Sequence, residues 1–322
     1  MRIKILAGLA VALAVCVGGA QAQAWPNKPI KLIVPFAPGG PTDQLARHVG
    51  SKLAEALGQA VVVENVVGAG GSVGLDRLAK SAPDGYTIGA SANTLQAIAP
   101  HLGPLPYDTV KSFTPIGTIA GFPFALMVGP SSPFNSVSDL LARARQRPGE
   151  VSSASAGVGT GQHLAALLLS QRTGVTFNAV QYKGAAPVMN DIMGGHADFA
   201  FEVIGSAMPI ITGGKARVIA TTDTARHPLL PNVPTVAETV PGFDIVGWFA
   251  LFGPANLPAD ITRKINDELG KIHRSDDFKK YLEVRGYQTL PGSAADLATR
   301  AQTELVKWGE VVKAIPASAL GR

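Results

Sequence analysis

Short β-branched runs alternate with glycine-rich loops and amphipathic segments, and this alternation restricts the fold of the chain more than any other feature. The run 30–36, IKLIVPF, predicts a strand, which the loop APGGP at 37–41 breaks. Leu45, Val49 and Leu53 then recur at helical spacing until Gly58 stops the pattern. The pattern continues with a strand at 61–65, a glycine loop at 68–72, a helix at 73–79 and a strand at 87–90. Such an order predicts a parallel sheet in an α/β protein.

The same alternation returns in the middle of the chain. Ser136 predicts the cap of a helix that Pro148 and Gly149 end. The elements predicted after it are strands at 151–155, 177–180, 199–203 and 218–221, helices at 162–171 and 185–193, a weak helix at 207–212, a buried strand or crossover at 245–252, and C-terminal helices at 258–273, 276–284 and 293–315. We therefore predict a first block before about Gly121 and a second block at about 136–246, with no low-complexity linker between them.

The N-terminus has the pattern of a secretory signal peptide. Arg2 and Lys4 precede an apolar run at 5–17, and small residues at 20, 22 and 24 fit a cleavage site after Ala22 or Ala24. The run is too short for a transmembrane helix, so we predict a signal peptide at 1–24 and export to the periplasm. A lipoprotein signal ending at Cys16 is the weaker alternative, because Val15 is bulkier than the small residue that such sites need. Cleavage removes Cys16, the only cysteine, and with it any disulfide or thiolate chemistry.

Charge and motifs exclude several classes of function. Without Arg2 and Lys4 the basic residues fall from 28 to 26 against 23 acidic residues, and they are scattered, so nucleic acid is not an expected partner. The six histidines show no pair at metal-ligand spacing, and the glycine loops fit neither a dinucleotide fingerprint nor a P-loop. We expect no metal and no cofactor. An enzyme stays open, because acid–base pairs can meet from distant positions.

Three glycine-rich loops follow predicted strands, at 37–42, 68–72 and 157–161, where open α/β sheets bind their ligands. The first and third run into helices, whose N-termini offer unpaired N–H groups and partial positive charge. This pair predicts a clamp on an anion, although such turns also use glycine for geometry alone. Asp43 and Thr160 are helix caps or ligand contacts, and His163 is a packing residue or a contact. Lys183 is a solvated charge or a contact at a strand end.

Several motifs resemble those of one known family. They are WPNKPI at 25–30, VPFAPGG at 34–40 followed by Asp43, VENVVGAGG at 63–71, APDGYT at 82–87, GVGTGQHL at 157–164, YKGAAP at 182–187, GGHAD at 194–198 and GWFALF at 247–252. In this order and over nearly the whole mature chain, they resemble the Bug-type substrate-binding proteins of tripartite tricarboxylate transporters.

The resemblance implies a two-lobed periplasmic-binding-protein fold of the type II, Venus-flytrap class, with the ligand between the lobes. By analogy lobe 1 comprises 25–122 plus 251–322, and lobe 2 comprises 123–250. The ligand-binding residues that it implies are Phe36, Ala37, Gly39, Gly40, Asp43, Gly159, Thr160 and His163, with Lys183, Gly184 and Ala185 nearby and Glu202 where many members carry Asp.

The resemblance also implies a function. It points to a monomeric receptor, not an enzyme, that captures a small carboxylate such as a dicarboxylate or tricarboxylate, an amino acid or an aromatic acid. The receptor then delivers the ligand to membrane transporter subunits. Two alternatives stay open: a secreted hydrolase using a carboxylate such as Asp43 or Glu202, and a receptor that serves as the input of a sensor rather than of a transporter.

Overall fold

The fold is that of a computed structural model, which describes residues 25–313 and residue 315. The predicted signal peptide, its cleavage site and Cys16 therefore lie outside the described residues. Among the helices between residues 25 and 313, none combines the length and the apolar character that a membrane-spanning helix needs.

Strands and helices alternate as the sequence predicts, which confirms the α/β class. The strands are β1 (Ile30–Val34), β2 (Val61–Asn65), β3 (Thr87–Ala92), β4 (Phe113–Val128), β5 (Ser152–Ser155), β6 (Asn178–Gln181), β7 (Phe199–Val203), β8 (Arg217–Thr221) and β9 (Val246–Pro254). The α-helices are α1 (Pro41–Leu57), α2 (Ser72–Ala79), α3 (Ala99–Leu102), α4 (Val137–Gln146), α5 (Gly161–Thr173), α6 (Ala185–Gly194), α7 (Ile204–Thr212), α8 (Val236–Thr239), α9 (Ala259–Arg274), α10 (Asp276–Glu283) and α11 (Ala294–Val312). A π-helical turn at Thr94–Ile98 joins β3 to α3.

Each block has a parallel core. In the first block β1 lies between β2 and β3 and is parallel to both, with Leu32, Ile33 and Val34 completely buried. In the second block β5 lies parallel between β6 and β7. A strand covered by helices on both faces is largely apolar, which fits the buried run from Leu32 to Val34 in β1.

The strand β4 is the main element that the sequence did not predict. It pairs with β9 in antiparallel register from Phe113 opposite Pro254 to Pro123 opposite Val246, and then with β7 and β8 from Phe124 onward. Pro115, Gly117, Gly121 and Pro123 resemble strand breakers, yet two register shifts in the β4–β9 ladder accommodate this stretch. The strands β4 and β9 thus connect the two blocks, and the predicted strand or crossover at 245–252 is a strand.

The C-terminal helices return to the first block. The helix α9 packs on α1 and β4, and α11 packs on β4 and on the turn at 94–98 while also reaching α5 of the second block. The predicted capping box at Ser293 is present, since the Ser293 side chain accepts from the Asp296 N–H and the Asp296 carboxylate accepts from the Ser293 N–H. One cluster of buried side chains, including Leu32, Leu164 and Trp308, runs through both blocks.

Candidate functional site

The loop at 37–42 ends at the start of α1. Gly40 is the N-cap residue, and no side chain accepts a hydrogen bond from the first turn. Pro41 occupies the first helical position, where its missing N–H costs nothing. Ala37 and Gly39 are exposed, and Phe36 is half-buried beside them. The start of α1 therefore keeps its positive end open to an anion.

Asp43 orders this loop instead of facing out of it. Its side chain is almost completely buried and accepts hydrogen bonds from the Gly39 N–H at 2.9 Å, the Arg47 Nε–H at 3.0 Å and the Asn65 Nδ2–H at 2.8 Å. Asn65 also donates to the Phe36 carbonyl at 2.9 Å. The Asp43 carboxylate thus holds the loop backbone in place through the Gly39 N–H. The Arg47 guanidinium, 3.0 Å from Oδ1 of Asp43, balances the carboxylate's charge.

The contacts of Asp43 also determine its ionisation. Burial alone would raise the pKa of this carboxyl, but the hydrogen bonds from Arg47, Gly39 and Asn65 outweigh burial and lower the pKa below its ordinary value. Asp43 is therefore ionised at neutral pH and has acceptor sites already occupied by this chain's own donors.

The loop at 157–161 leads into α5 through a similar set of internal bonds. Thr160 is the N-cap residue, and its hydroxyl accepts from the His163 N–H at 3.3 Å while donating to the Gly157 carbonyl at 2.8 Å. The Gly159 N–H donates to Nδ1 of His163 at 3.1 Å, so Nδ1 is unprotonated. Burial lowers the pKa of His163, which keeps the ring neutral. Thr160 and His163 both hold the loop in shape.

Two leucines that follow β3 pack closely against glycines of the second and third glycine loops. A Cβ on Gly71 would stand 2.8 Å from Leu95 and 3.4 Å from Phe36, and a Cβ on Gly159 would overlap Leu102. Gly159 also has φ +78°, so the position excludes a side chain on two grounds. Leu95 thus lies against the second glycine loop, at 68–72, and Leu102 lies against the loop at 157–161. Sequence reasoning missed both residues, because an isolated leucine carries no signal of such a role.

The predicted residues 183–185 adjoin the 157–161 loop. The Gly184 N–H donates to the Ala156 carbonyl at 3.1 Å, and Gly184 is the N-cap residue of α6. Lys183 is exposed and Ala185 is half-buried. The structure therefore brings this segment next to the loop, with the Lys183 side chain on the surface.

Glu202 lies near the carboxyl end of β7 and is only 3% exposed. Its Oε1 accepts from the Val203 N–H at 2.9 Å. Burial raises the pKa of this carboxyl, while the Val203 N–H and the Gln162 side chain at the start of α5 act in the opposite direction. Over the described residues, no three His, Cys, Asp or Glu side chains come close enough to hold a metal ion.

Comparisons with known proteins agree with this architecture. Residues 45–316 match the model of a family described as the tripartite tricarboxylate transporter family receptor. Protein BugT of Bordetella pertussis is 34% identical over 97% of this chain and 97% of its own length.

Solved structures are similar over most of the chain. An R. palustris protein with adipate is 33% identical, with a TM-score of 0.75 over 92% of this chain and 98% of that one. MatC from Rhodopseudomonas palustris with bound malate is 30% identical, with a TM-score of 0.72 over 89% and 100%. The periplasmic binding protein BugD is 32% identical, with a TM-score of 0.71 over 90% and 98%. These similarities confirm the predicted periplasmic-binding-protein fold.

Proposed function

Because the chain belongs to the tripartite tricarboxylate transporter receptor family, we propose that it is a periplasmic receptor that captures one small carboxylate and delivers it to membrane transporter subunits. Two ordered glycine loops, at 37–42 and 157–161, support this proposal. Each of them leads into a helix. Two relatives of known structure hold malate and adipate, which are small dicarboxylates.

The carboxylate binds, in this proposal, to backbone groups at the starts of α1 and α5. The N–H groups of Gly39 and Gly159 already donate to Asp43 and His163, so the remaining N–H groups of both loops and first turns contact the ligand. Asp43, Thr160 and His163 act as positioning residues. The Arg47 guanidinium offsets the negative charge of Asp43, which otherwise would repel the ligand.

The ligand lies between two lobes, with lobe 1 at 25–122 plus 251–322 and lobe 2 at 123–250. The change of pairing partner along β4, from β9 up to Pro123 to β7 and β8 from Phe124, supports this division. Ligand contacts from both lobes favour a closed arrangement, and the membrane subunits recognise that arrangement in a monomeric receptor.

Binding without turnover distinguishes this receptor from a hydrolase. A hydrolase that used Asp43 as an acid or base would need a carboxyl free to exchange protons, whereas Asp43 has a lowered pKa and internal partners. We expect residues 25–322 to show a thermal shift and calorimetric binding with members of a panel of dicarboxylates, tricarboxylates, amino acids and aromatic acids, and to leave the panel and its esters chemically unchanged. No binding across the panel, or turnover of any member, would overturn the proposal.

A further inference from the structure

A cavity of about 580 Å³ runs along α5 on the side of the second block. One wall is a face of α5, on which His163, Leu167 and Gln171 recur at every fourth residue. These residues extend from the first turn of α5 to its last, about 12 Å along the helix axis. Among the described residues that line the cavity, none belongs to the loop at 37–42. The cavity therefore extends away from the two helix starts proposed to hold the carboxylate.

The other wall is the edge of the sheet. Ser153 of β5 pairs with Ala179 of β6, the last strand of the sheet, and paired residues of parallel strands point to the same face. The helix α5 packs on β5 and β7, so Ser153 is buried while Ala179 is exposed. Phe177, packed edge-on against Phe199 with ring centroids 4.9 Å apart, and Ile315 add apolar surface. A groove with mainly apolar walls thus separates α5 from β6.

Two polar side chains in this lining are almost completely buried and offer an atom without a partner in the described part of the chain. They are Ser153 and His163, which are 3% and 5% exposed. Nδ1 of His163 accepts from the Gly159 N–H, so Nε2 carries the proton of the neutral ring. Nε2 of His163 and the Ser153 hydroxyl both keep accessible surface, unlike the unpaired Nε2 of His227, which is fully enclosed. A few such polar groups in an apolar cavity orient a small ligand.

Charge restricts the kind of ligand that this cavity fits. None of the described residues that line it is Lys, Arg, Asp or Glu, and burial keeps His163 neutral. An ion placed there would lose its hydration without a charged partner, which is unfavourable. A neutral molecule does not carry this cost. The volume of the cavity lies within the range of about 300–1,000 Å³ that is common for small-molecule sites.

We propose that this cavity is a second ligand site, separate from the carboxylate site, and that it binds a neutral, mainly apolar molecule bearing one hydroxyl group. That hydroxyl accepts from the Nε2–H of His163 and hydrogen-bonds to the Ser153 hydroxyl. The remainder of the molecule packs against Leu167 and Phe177, where it buries apolar surface. The second site goes beyond the receptor function and does not depend on which carboxylate the receptor captures.

Matched probes test the second site by isothermal titration calorimetry on residues 25–322. Naphthalene and 1-naphthol share one skeleton and differ in the hydroxyl group. We expect the wild-type protein to bind 1-naphthol more tightly than naphthalene, because only 1-naphthol meets His163 and Ser153. Ser153→Ala should weaken 1-naphthol binding roughly fivefold, since it removes one hydrogen bond, and should leave naphthalene binding unchanged.

A steric variant tests the position of the site. Ala179→Leu places a larger side chain in the groove and should weaken the binding of both probes by about tenfold or more. Ala298→Leu makes the same change at an exposed alanine of α11 and should keep the wild-type affinities.

Imidazole resonances identify the contact directly. In long-range ¹H–¹⁵N spectra, 1-naphthol should shift the Nε2 signal of His163. The ring of His273, whose Nε2 lies 2.9 Å from the Thr118 carbonyl oxygen, is the internal control and should not shift. An excess of a carboxylate that binds in calorimetry should leave 1-naphthol bound, because the two ligands occupy different sites.

The outcomes separate the second site from the receptor function. If 1-naphthol does not bind, if a bound carboxylate displaces it, or if Ser153→Ala and Ala179→Leu both keep the wild-type affinities, the second site is wrong and the receptor function stands. If 1-naphthol binds as expected and no carboxylate does, the receptor function fails and the second site stands.

A further variant tests whether the chain itself occupies the cavity. Leu320 is the largest apolar residue in the segment 316–322, which follows Ile315 in the sequence. If the wild-type protein binds neither probe but Leu320→Asp binds them, the C-terminal end of the chain takes the place of a separate molecule and the proposal is wrong. Thermal unfolding shows whether each variant is folded. Should Ser153→Ala or Ala179→Leu fail to fold, the other variant and the His163 signal decide.

Discussion

Gly205 and Gly286 meet backbone to backbone. A Cβ on Gly286 would stand 2.7 Å from the Cα of Gly205, and a Cβ on Gly205 would overlap the carbonyl oxygen of Arg285. Gly205 lies in the first turn of α7 in the second block, and Gly286 follows α10 in the C-terminal part that packs on the first block. Two residues later, Gln288 exchanges backbone hydrogen bonds with Gly121 of β4. The two blocks therefore touch through backbone where no side chain fits.

This contact predicts a specific penalty for Gly286→Ala. Gly286 has φ +64°, and Gly214 has the same φ but nothing within 4 Å of an added Cβ. Both alanine variants carry the cost of a left-handed conformation, so Gly214→Ala is the matched control. We expect Gly286→Ala to lose about 1–3 kcal/mol more in the free energy of unfolding, because it also overpacks the contact. Equal losses in urea unfolding would show that the contact can relax without cost.

Thr160→Val is expected to weaken both α5 and ligand binding. The Thr160 hydroxyl caps the helix and holds the Gly157 carbonyl, and the loss of such a cap costs about 0.5–2 kcal/mol. Carboxylate affinity should fall by about 1–3 kcal/mol, since the loop N–H groups lose their alignment. Thr160→Ser keeps the hydroxyl and should retain affinity in calorimetry. A Val variant with unchanged affinity would remove this loop from the binding site.

Asp43→Asn is expected to lower stability by about 1–3 kcal/mol near pH 7, since it weakens charge-assisted bonds to Gly39, Arg47 and Asn65. The lowered pKa of Asp43 determines how its contribution to the free energy of unfolding changes with pH. Its contribution is present above the unfolded value of 3.8 and is lost as the pH falls through the lower folded value. The difference between variant and wild type in thermal unfolding should therefore shrink toward pH 3. The exposed control Asp267→Asn should show no comparable change, and a difference independent of pH would contradict this role.

Asp223→Asn is expected to have the opposite effect at neutral pH. Burial raises the pKa of Asp223 from 3.8 to about 6, so the folded state binds the proton more tightly than the unfolded state. Stability from this group is present below pH 3.8 and is lost as the pH rises to about 6. The variant lacks this loss and should be about 1–3 kcal/mol more stable at pH 7.5, with little difference at pH 4. Urea unfolding at both pH values checks this, and the same difference at both would disprove it.

Much of the fold could be predicted because βα units have strong local signals. Gly58, Ser136 and Ser293 mark the helix ends that the structure shows. The strand β4 could not be predicted from the sequence, because its residues form a strand by pairing with β9, which is remote in sequence. No local sequence pattern indicates that pairing. The turn at 94–98 and α3 were missed for a similar reason, since their packing against α11 is remote in sequence.

The sequence predicted where the candidate site lies better than it predicted what its residues do. The loops at 37–42 and 157–161 stand at helix starts as expected, yet Asp43, Thr160 and His163 bond to their own loops. Sequence spacing placed these residues but could not show which donors their oxygens and nitrogens meet.

The most direct test of the receptor function is native mass spectrometry of the chain purified from the periplasm of an expressing bacterium, followed by identification of any released small molecule. We expect one small carboxylate per chain, which an excess of a carboxylate that binds in calorimetry displaces. A chain that emerges empty and binds no carboxylate added afterwards, or that carries a ligand without a carboxylate, would contradict it.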